Sequence, residues 1–234
     1  MNVDWREWEP IYEAIRADFG FDRAADGRAR DRLWRLSEPF EGSTDSLASN
    51  SEVVIAGAGP SLTTDESLAR AGAADAIVAA STAVDRLAAH GLSVDWMVTD
   101  LDKNPETVRE LTAAGTPVAV HAHGDNVELV ESIVPACASG SILPTTQVAP
   151  RGHVVNIGGF TDGDRAAYLA DALGASSLSF VGWDLDDPTV DRSKAKKLVW
   201  AQRLLYVLER RRNERFGVLD GRRSEIDVQS LPID

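Results

Sequence analysis

A chain of 234 residues that is 44% hydrophobic can bury one sizeable core, and its formal net charge of −13 makes it a poor partner for nucleic acid or an anionic membrane surface. A single cysteine, Cys137, excludes an internal disulfide and is expected to pack as a small apolar residue. No stretch approaches the ~20 apolar residues of a membrane span, and "MNVDWREWEP" lacks the basic and apolar segments of a signal peptide, so a cytoplasmic protein is expected.

Only Lys103, Lys194, Lys196 and Lys197 are lysines, and arginine carries most of the positive charge. Abundant Asp with little Lys resembles the cytoplasmic proteins of salt-loving archaea. Any phosphate ligand of so acidic a chain must meet local cations, a bound metal or backbone N–H groups.

Residues 1–36 read as helix. Trp5, Trp8, Ile11, Tyr12, Ile15 and Phe19 recur at three- and four-residue steps, and Ala29, Leu33, Trp34 and Leu36 suggest a second helix. "SEPFEGSTDSLASN" then reads as a linker. The division expected is an N-terminal helical segment with linker over 1–45 and an α/β catalytic domain over 46–234. The N-terminal helices either cover the sheet or form the contact of a homodimer.

From Glu52 onward, short β-branched runs alternate with amphipathic ones. Strands are expected at "EVVIAG", "DAIVAAS", "VDWMVTD", "TPVAVHAH", "HVVNIGG" and "SLSFVGW", with a weaker one near "SILPTTQV". Helices are expected at "SLARAGA", "TAVDRLAAHG", "PETVRELTAAG", "NVELVESIVP", "DRAAYLADALG" and the long run ending in "LERRR". Strand–helix alternation implies right-handed crossovers and a three-layer α/β fold, a mostly parallel sheet with helices on both faces. Ligands in such folds bind beyond the carboxyl ends of the strands.

The unusual polar clusters fall at those ends. In "VVIAGAGPSL", Gly57 and Gly59 follow a buried strand, and Ser61 can cap the next helix. A tight turn alone would also need glycine, but a strand–glycine–helix passage offers backbone N–H groups to an anion. No lysine follows, which argues against a phosphate-loop NTPase. In "WMVTDLDKNP", Asp100 and Asp102 stand two apart, so in an extended segment both carboxylates face one way and suit Mg²⁺, a hard cation. The competing reading makes Asp102 or Asn104 the cap of a helix starting at Pro105; it leaves Asp100 without a task.

"VAVHAHGDN" places His121 and His123 on one side of a strand. Zinc would need further ligands that the neighbourhood lacks, so the expectation is one packed histidine and His123 at a phosphate or substrate. Asp125 or Asn126 caps the following helix in the simpler reading. "VVNIGGFTDGDRA" sets Gly158 and Gly159 before Thr161, Asp162 and Asp164, more acid than a helix cap requires. "FVGWDLDDP" is either a base-stacking edge or a solvated acidic loop. Lys194 and Lys197 lie three apart on one helical face, as phosphate-neutralising cations or as a surface pair.

Together "GAGPSL", "VTDLD", "HAHGDN", "GGFTDGDRA" and "KAKKL" resemble the archaeal 6-hydroxymethyl-7,8-dihydropterin pyrophosphokinases of the MptE-like type over roughly residues 50–205. That family is related to the catalytic domain of thiamin pyrophosphokinases. The resemblance implies Mg²⁺-dependent transfer of diphosphate from ATP to a pterin hydroxymethyl group, with release of AMP. It implies metal-binding roles for Asp100 and Asp102, with Asp125 and Asp162 completing the catalytic carboxylates. Gly57, Gly59, Pro60, Ser61, His123, Gly124 and Asn126 would lie near the nucleotide, Gly159, Thr161 and Asp164 near the pterin or metal, and Lys194 and Lys197 at phosphates. The competitors are a nucleotide-sugar-dependent glycosyltransferase, from proteins with a similar glycine-rich start, and a non-catalytic nucleotide-binding module.

Overall fold

The structure, a computed structural model, describes residues 1–47, 51–228 and 231. Its N-terminal helical region is two helices, α1 (Trp5–Phe19) and α2 (Arg23–Leu36). Asp4 caps the first through Arg6 N, and Asp22 caps the second through Ala24 N and Ala25 N. Between them Gly20, at φ +73°, supplies the left-handed residue that ends α1. Of the expected linker over 37–50, residues 48–50 lie outside the described residues; Leu47 is fully buried.

Six parallel strands follow: β1 (Glu52–Ala56), β2 (Ala76–Ala80), β3 (Trp96–Thr99), β4 (Val118–Ala122), β5 (Ile142–Thr146) and β6 (Ser177–Val181). Their order is β5-β4-β3-β2-β1-β6. The helices between and after them are α3 (Asp65–Ala73), α4 (Ala83–Ala88), α5 (Pro105–Ala113), α6 (Val127–Ile133), α7 (Asp162–Leu173) and α8 (Arg192–Arg212).

Side chains alternate across the sheet, and each face has its own core. Val53, Ile55, Val78, Trp96 and Val98 point to a layer containing α1, α7 and α8. Val54, Ala56, Ile77, Ala79, Met97 and Val120 point to the opposite layer, with Ala29 and Leu33 of α2 and buried residues of α3, α4, α5 and α6. This is the three-layer α/β architecture expected, with the N-terminal helices covering both faces. The order reverses at β1, whose neighbours are β2 on one side and β6 on the other, so the crevice of such a fold opens along the carboxyl ends there.

Two strand expectations exchange weight. "HVVNIGG" is not a strand of the sheet; it makes only isolated bridges, Thr145 to Val155 and Arg151 to Val154. The weak run near "SILPTTQV" is β5, the sheet edge. Pro144 depressed the strand signal because it has no N–H, but an edge strand tolerates it. The chain after β5 folds back so that Val155 N donates to Pro144 O (3.0 Å) and Thr146 N to Val155 O (2.9 Å). Gly158 and Gly159, both near φ +80°, then turn the chain toward α7.

Candidate active site

The end of β3 is a tight turn. Thr99 Oγ1 accepts from Leu101 N (3.0 Å) and Asp100 Oδ1 accepts from Asp102 N (3.3 Å). Leu101 sits between the two aspartates, fully buried and at φ +71°. That left-handed conformation costs a branched residue about 1–2 kcal/mol, and burial of the leucine side chain holds it there. Asp100 and Asp102 therefore approach each other through a turn, not along an extended strand as the spacing suggested. Neither capping alternative occurs. Asn104 stands at the N-cap of α5, but its side chain donates to Asp85 Oδ2 (2.7 Å) and Ser81 O (3.4 Å) and makes no capping bond.

Two neighbouring elements converge on this turn. From the end of β4, Asn126 donates to Asp100 O (2.8 Å) and His121 O (2.7 Å) and accepts from His123 N (2.9 Å), which fastens the two strand ends together. His123 Nε2 lies 3.6 Å from Asp100 Oδ2. From the first turn of α7 come Asp162 and Arg165, with Arg165 Nη1 3.6 Å from Asp162 Oδ1. Arg165 is 3% exposed, and its Nε has no hydrogen-bond partner; neither has Asp162 Oδ1.

The carboxylates perturb one another. Burial opposes ionisation of Asp100, but His123, Asp102 and the Arg165 charge outweigh it and hold Asp100 well below the usual range. Asp102 moves up, through partial burial and its bond to an ionised Asp100. Asp162 is pushed up to about 8, first by burial and then by the Asp100 charge, with Arg165 pulling the other way. The Asp100 charge thus raises both Asp102 and Asp162, a repulsion that a nearby cation would relieve. Among the described residues no three His, Cys, Asp or Glu side chains are already arranged around one point. Mg²⁺ needs few protein ligands and keeps water or phosphate oxygens in its other positions.

A cavity of about 300 Å³ opens beside this cluster. Asp100, His123, Gly124, Asp125 and Lys197 border it, with Arg165 and Phe160. Lys194 and Lys197 have no ion-pair partner among the described residues, and the Lys194 charge reaches Asp162. The rest of the wall was not anticipated: Gly20, Phe21 and Asp22 from the turn between α1 and α2, Ala25 and Asp26 from the start of α2, and Gln147 just beyond β5. Asp26 is 2% exposed and accepts from Tyr12 Oη, Gly124 N and Gln147 Nε2, each at 2.8 Å. A signal existed for it. Asp26, Ala29 and Leu33 form an i, i+3, i+7 stripe, so Asp26 belongs to the buried face of α2.

Other candidate residues fall outside the cavity wall. Gly57, Gly59, Pro60 and Ser61 form a loop tied to the end of β6. Gly57 N and Gly59 N donate to Val181 O and Gly182 O, both at 2.9 Å, and Ser61 N and Oγ donate to Asp184 Oδ2 at 3.0 and 2.8 Å. A Cβ on Gly57 would stand 2.6 Å from Gly182 O, so close loop packing already requires that glycine. Thr161 and Asp164 form the capping box of α7; Asp164 is fully buried and accepts from Phe160 N (2.9 Å) and Thr161 N (2.6 Å). Gly159 lets the chain pass the backbone of Arg165, 2.7 Å from where a Cβ would sit. His121 is buried, with Nδ1 3.1 Å from Thr145 Oγ1, and burial holds it far below the usual histidine range.

Residues 33–189 match the family described as 6-hydroxymethylpterin diphosphokinase MptE-like. The chain is 35% identical over 221 residues to a 6-hydroxymethyl-7,8-dihydropterin pyrophosphokinase of Pyrococcus furiosus, covering 87% of this chain and 93% of the relative. A protein of the same description from Methanothermobacter thermautotrophicus is 36% identical, with 88% and 94% covered. One from Methanocaldococcus jannaschii is 32% identical, with 88% and 96% covered. No helix among the described residues is long and apolar enough to cross a membrane.

Proposed function

The chain belongs to the MptE-like 6-hydroxymethylpterin diphosphokinase family, and on that premise we propose that it transfers diphosphate from ATP to the hydroxymethyl group of 6-hydroxymethyl-7,8-dihydropterin in a Mg²⁺-dependent reaction. The substrate hydroxyl oxygen bonds to the β-phosphorus, the bond from that phosphorus to the α,β-bridging oxygen breaks, and AMP leaves with that oxygen. The hydroxyl proton is released. The chemistry asks the protein mainly for alignment and charge neutralisation.

The observation that carries the reading is the crowding of Asp100, Asp102 and Asp162 at the carboxyl end of the sheet, with Asp162 Oδ1 buried and unpartnered. An all-oxygen donor set of this kind fits Mg²⁺. Asp100 and Asp102 would hold the ion, with Asp162 and Asp125 the remaining carboxylates of the catalytic set. The bound ion supplies neutralisation of the transferring diphosphate. Lys197, which borders the cavity, and Lys194 would meet phosphate oxygens. His123, Gly124 and Asn126 would shape the nucleotide side of the cavity, whereas the loop from Gly57 through Pro60 to Ser61 lies outside its wall, with the Gly57, Gly59 and Ser61 amides donating to the end of β6 and to Asp184. Thr161 and Asp164 serve α7 itself. The helical segment over 1–45 is proposed to act as part of the catalytic body over 46–234, since the cavity wall includes Phe21 and Asp26.

The test is an assay of purified, salt-stabilised protein with ATP, Mg²⁺ and the pterin alcohol. AMP is the expected product; ADP as product, or no turnover, defeats the proposal. Release of a nucleoside diphosphate from a sugar nucleotide would instead support the glycosyltransferase reading.

A further inference from the structure

The cavity wall joins two kinds of chemistry. It carries Asp100, Asp125 and Lys197. It also carries Phe21, Phe160 and three members of a hydrogen-bonded chain that runs Tyr12–Asp26–Gln147–Arg165. Gln147 Nε2 donates to Asp26 Oδ2 at 2.8 Å, and Gln147 Oε1 accepts from Arg165 Nη2 at 3.2 Å.

The hydrogen-bonding capacity of that chain is not used up. Asp26 Oδ2 receives Tyr12 and Gln147, but Oδ1 receives only Gly124 N. Gln147 Oε1 receives one donor, and Arg165 Nε has none to give to. An sp² oxygen accepts two hydrogen bonds, so Asp26 and Gln147, which both line a void large enough for a bicyclic ring, keep two acceptor positions between them, and Arg165 in the same wall carries the positive charge. Groups buried like this are normally satisfied, and a ligand is one way to satisfy them.

We infer that Asp26, with Gln147 and Arg165, recognises the 2-amino-4-oxo pyrimidine edge of the pterin, and that the N-terminal helices therefore set substrate choice. The inference rests on the pterin reading above. That edge presents two adjacent N–H donors and a carbonyl acceptor, the complement of two oxygens and a guanidinium. Phe21 and Phe160, with ring centroids 6.4 Å apart, form the apolar side of the pocket. Asp26 precedes residue 33, where the family match begins, so the match does not carry this assignment. A guanine base offers the same edge, and the experiment separates the two sources.

The experiment measures binding of 6-hydroxymethylpterin by its fluorescence, against its 2-oxo analogue and against GMP. Wild-type protein is expected to prefer the 2-amino compound by about 10–100-fold, the range for hydrogen bonds to a charged group. Asp26→Asn is expected to erase most of that preference in a protein that still binds ATP. Equal wild-type affinity for both pterins overturns the inference, and this arm needs no variant to fold. Retained preference in a folded Asp26→Asn protein overturns it too, because a purely structural Asp26 would weaken both pterins alike. Strong GMP competition that Asp26→Asn abolishes assigns the edge to a nucleotide base and defeats the pterin assignment. A wild-type protein that binds ATP but neither pterin brings down the functional reading itself, a distinguishable result.

Discussion

Replacing Asp162 by Asn should stabilise the protein, and by an amount that depends on pH. The folded-state value of this carboxyl is raised from 3.8 to about 8, by burial first and then by the Asp100 charge. A raised value means that the stability tied to Asp162 is complete below about pH 4, where folded and unfolded chains are both protonated. As pH rises toward 8, the unfolded chain ionises and the native one does not, so stability is lost across that window. Each unit is worth about 1.4 kcal/mol, which sets a ceiling of roughly 6 kcal/mol at the top of the window. The side chain is 14% exposed and Arg165 lies 3.6 Å away; with water access and relaxation the expected gain is about 1–3 kcal/mol. Asn mimics the neutral acid without the penalty. Urea unfolding at one fixed KCl concentration, without divalent ions, should show wild type and variant nearly equal at about pH 4.5 and increasingly separated up to about pH 8. Adding Mg²⁺ should stabilise wild type more than the variant. A variant less stable than wild type at the upper pH, or a gap that does not change with pH, would refute the electrostatic argument.

Four further outcomes are expected. Asp100→Asn should lower AMP release by at least ~10–100-fold while the circular dichroism spectrum is retained; full activity would remove Asp100 from the metal centre. Gly59→Ala drives a methyl group into the Asp184 carboxylate and to 2.7 Å from Gly182 O, so chemical denaturation should report a loss of about 1–3 kcal/mol. Leu33→Ala opens a void in the layer beneath α2, where Leu33 is fully buried, and should cost about 2–5 kcal/mol by the same measurement. With a net charge of −13, the melting temperature should rise as KCl is raised from millimolar to molar, since screening relieves self-repulsion; a melting temperature independent of salt would count against a salt-adapted surface.

Much of the fold was legible because parallel strands announce themselves as short apolar runs. β1, β2, β3, β4 and β6 stand where "EVVIAG", "DAIVAAS", "VDWMVTD", "TPVAVHAH" and "SLSFVGW" placed them. The exchange between β5 and "HVVNIGG" shows where a local pattern misleads. Val154 and Val155 have strand-like side chains, but each makes only an isolated bridge, to Arg151 and to Thr145, while Pro144 is tolerated because β5 ends the strand order. The spacing of Asp100 and Asp102 was visible, but not the left-handed Leu101 between them, which depends on a buried socket for that side chain.

The sequence by itself determined the alternation of strands and helices, the acidic surface, and the rule that polar clusters lie at strand ends. Those are properties of local periodicity and composition, readable without any distance. Only the tertiary structure decided which clusters meet. It brought Asp162 and Arg165 from α7 to the end of β3, tied the glycine loop to β6 and away from the cavity wall, and closed that wall with Asp26 from α2. Asp26 and Gln147 stand 121 positions apart in the chain yet lie within one hydrogen bond. No periodicity encodes such a contact; it exists because α2 packs against β4 and β5 and brings Asp26 to the carboxyl end of β5.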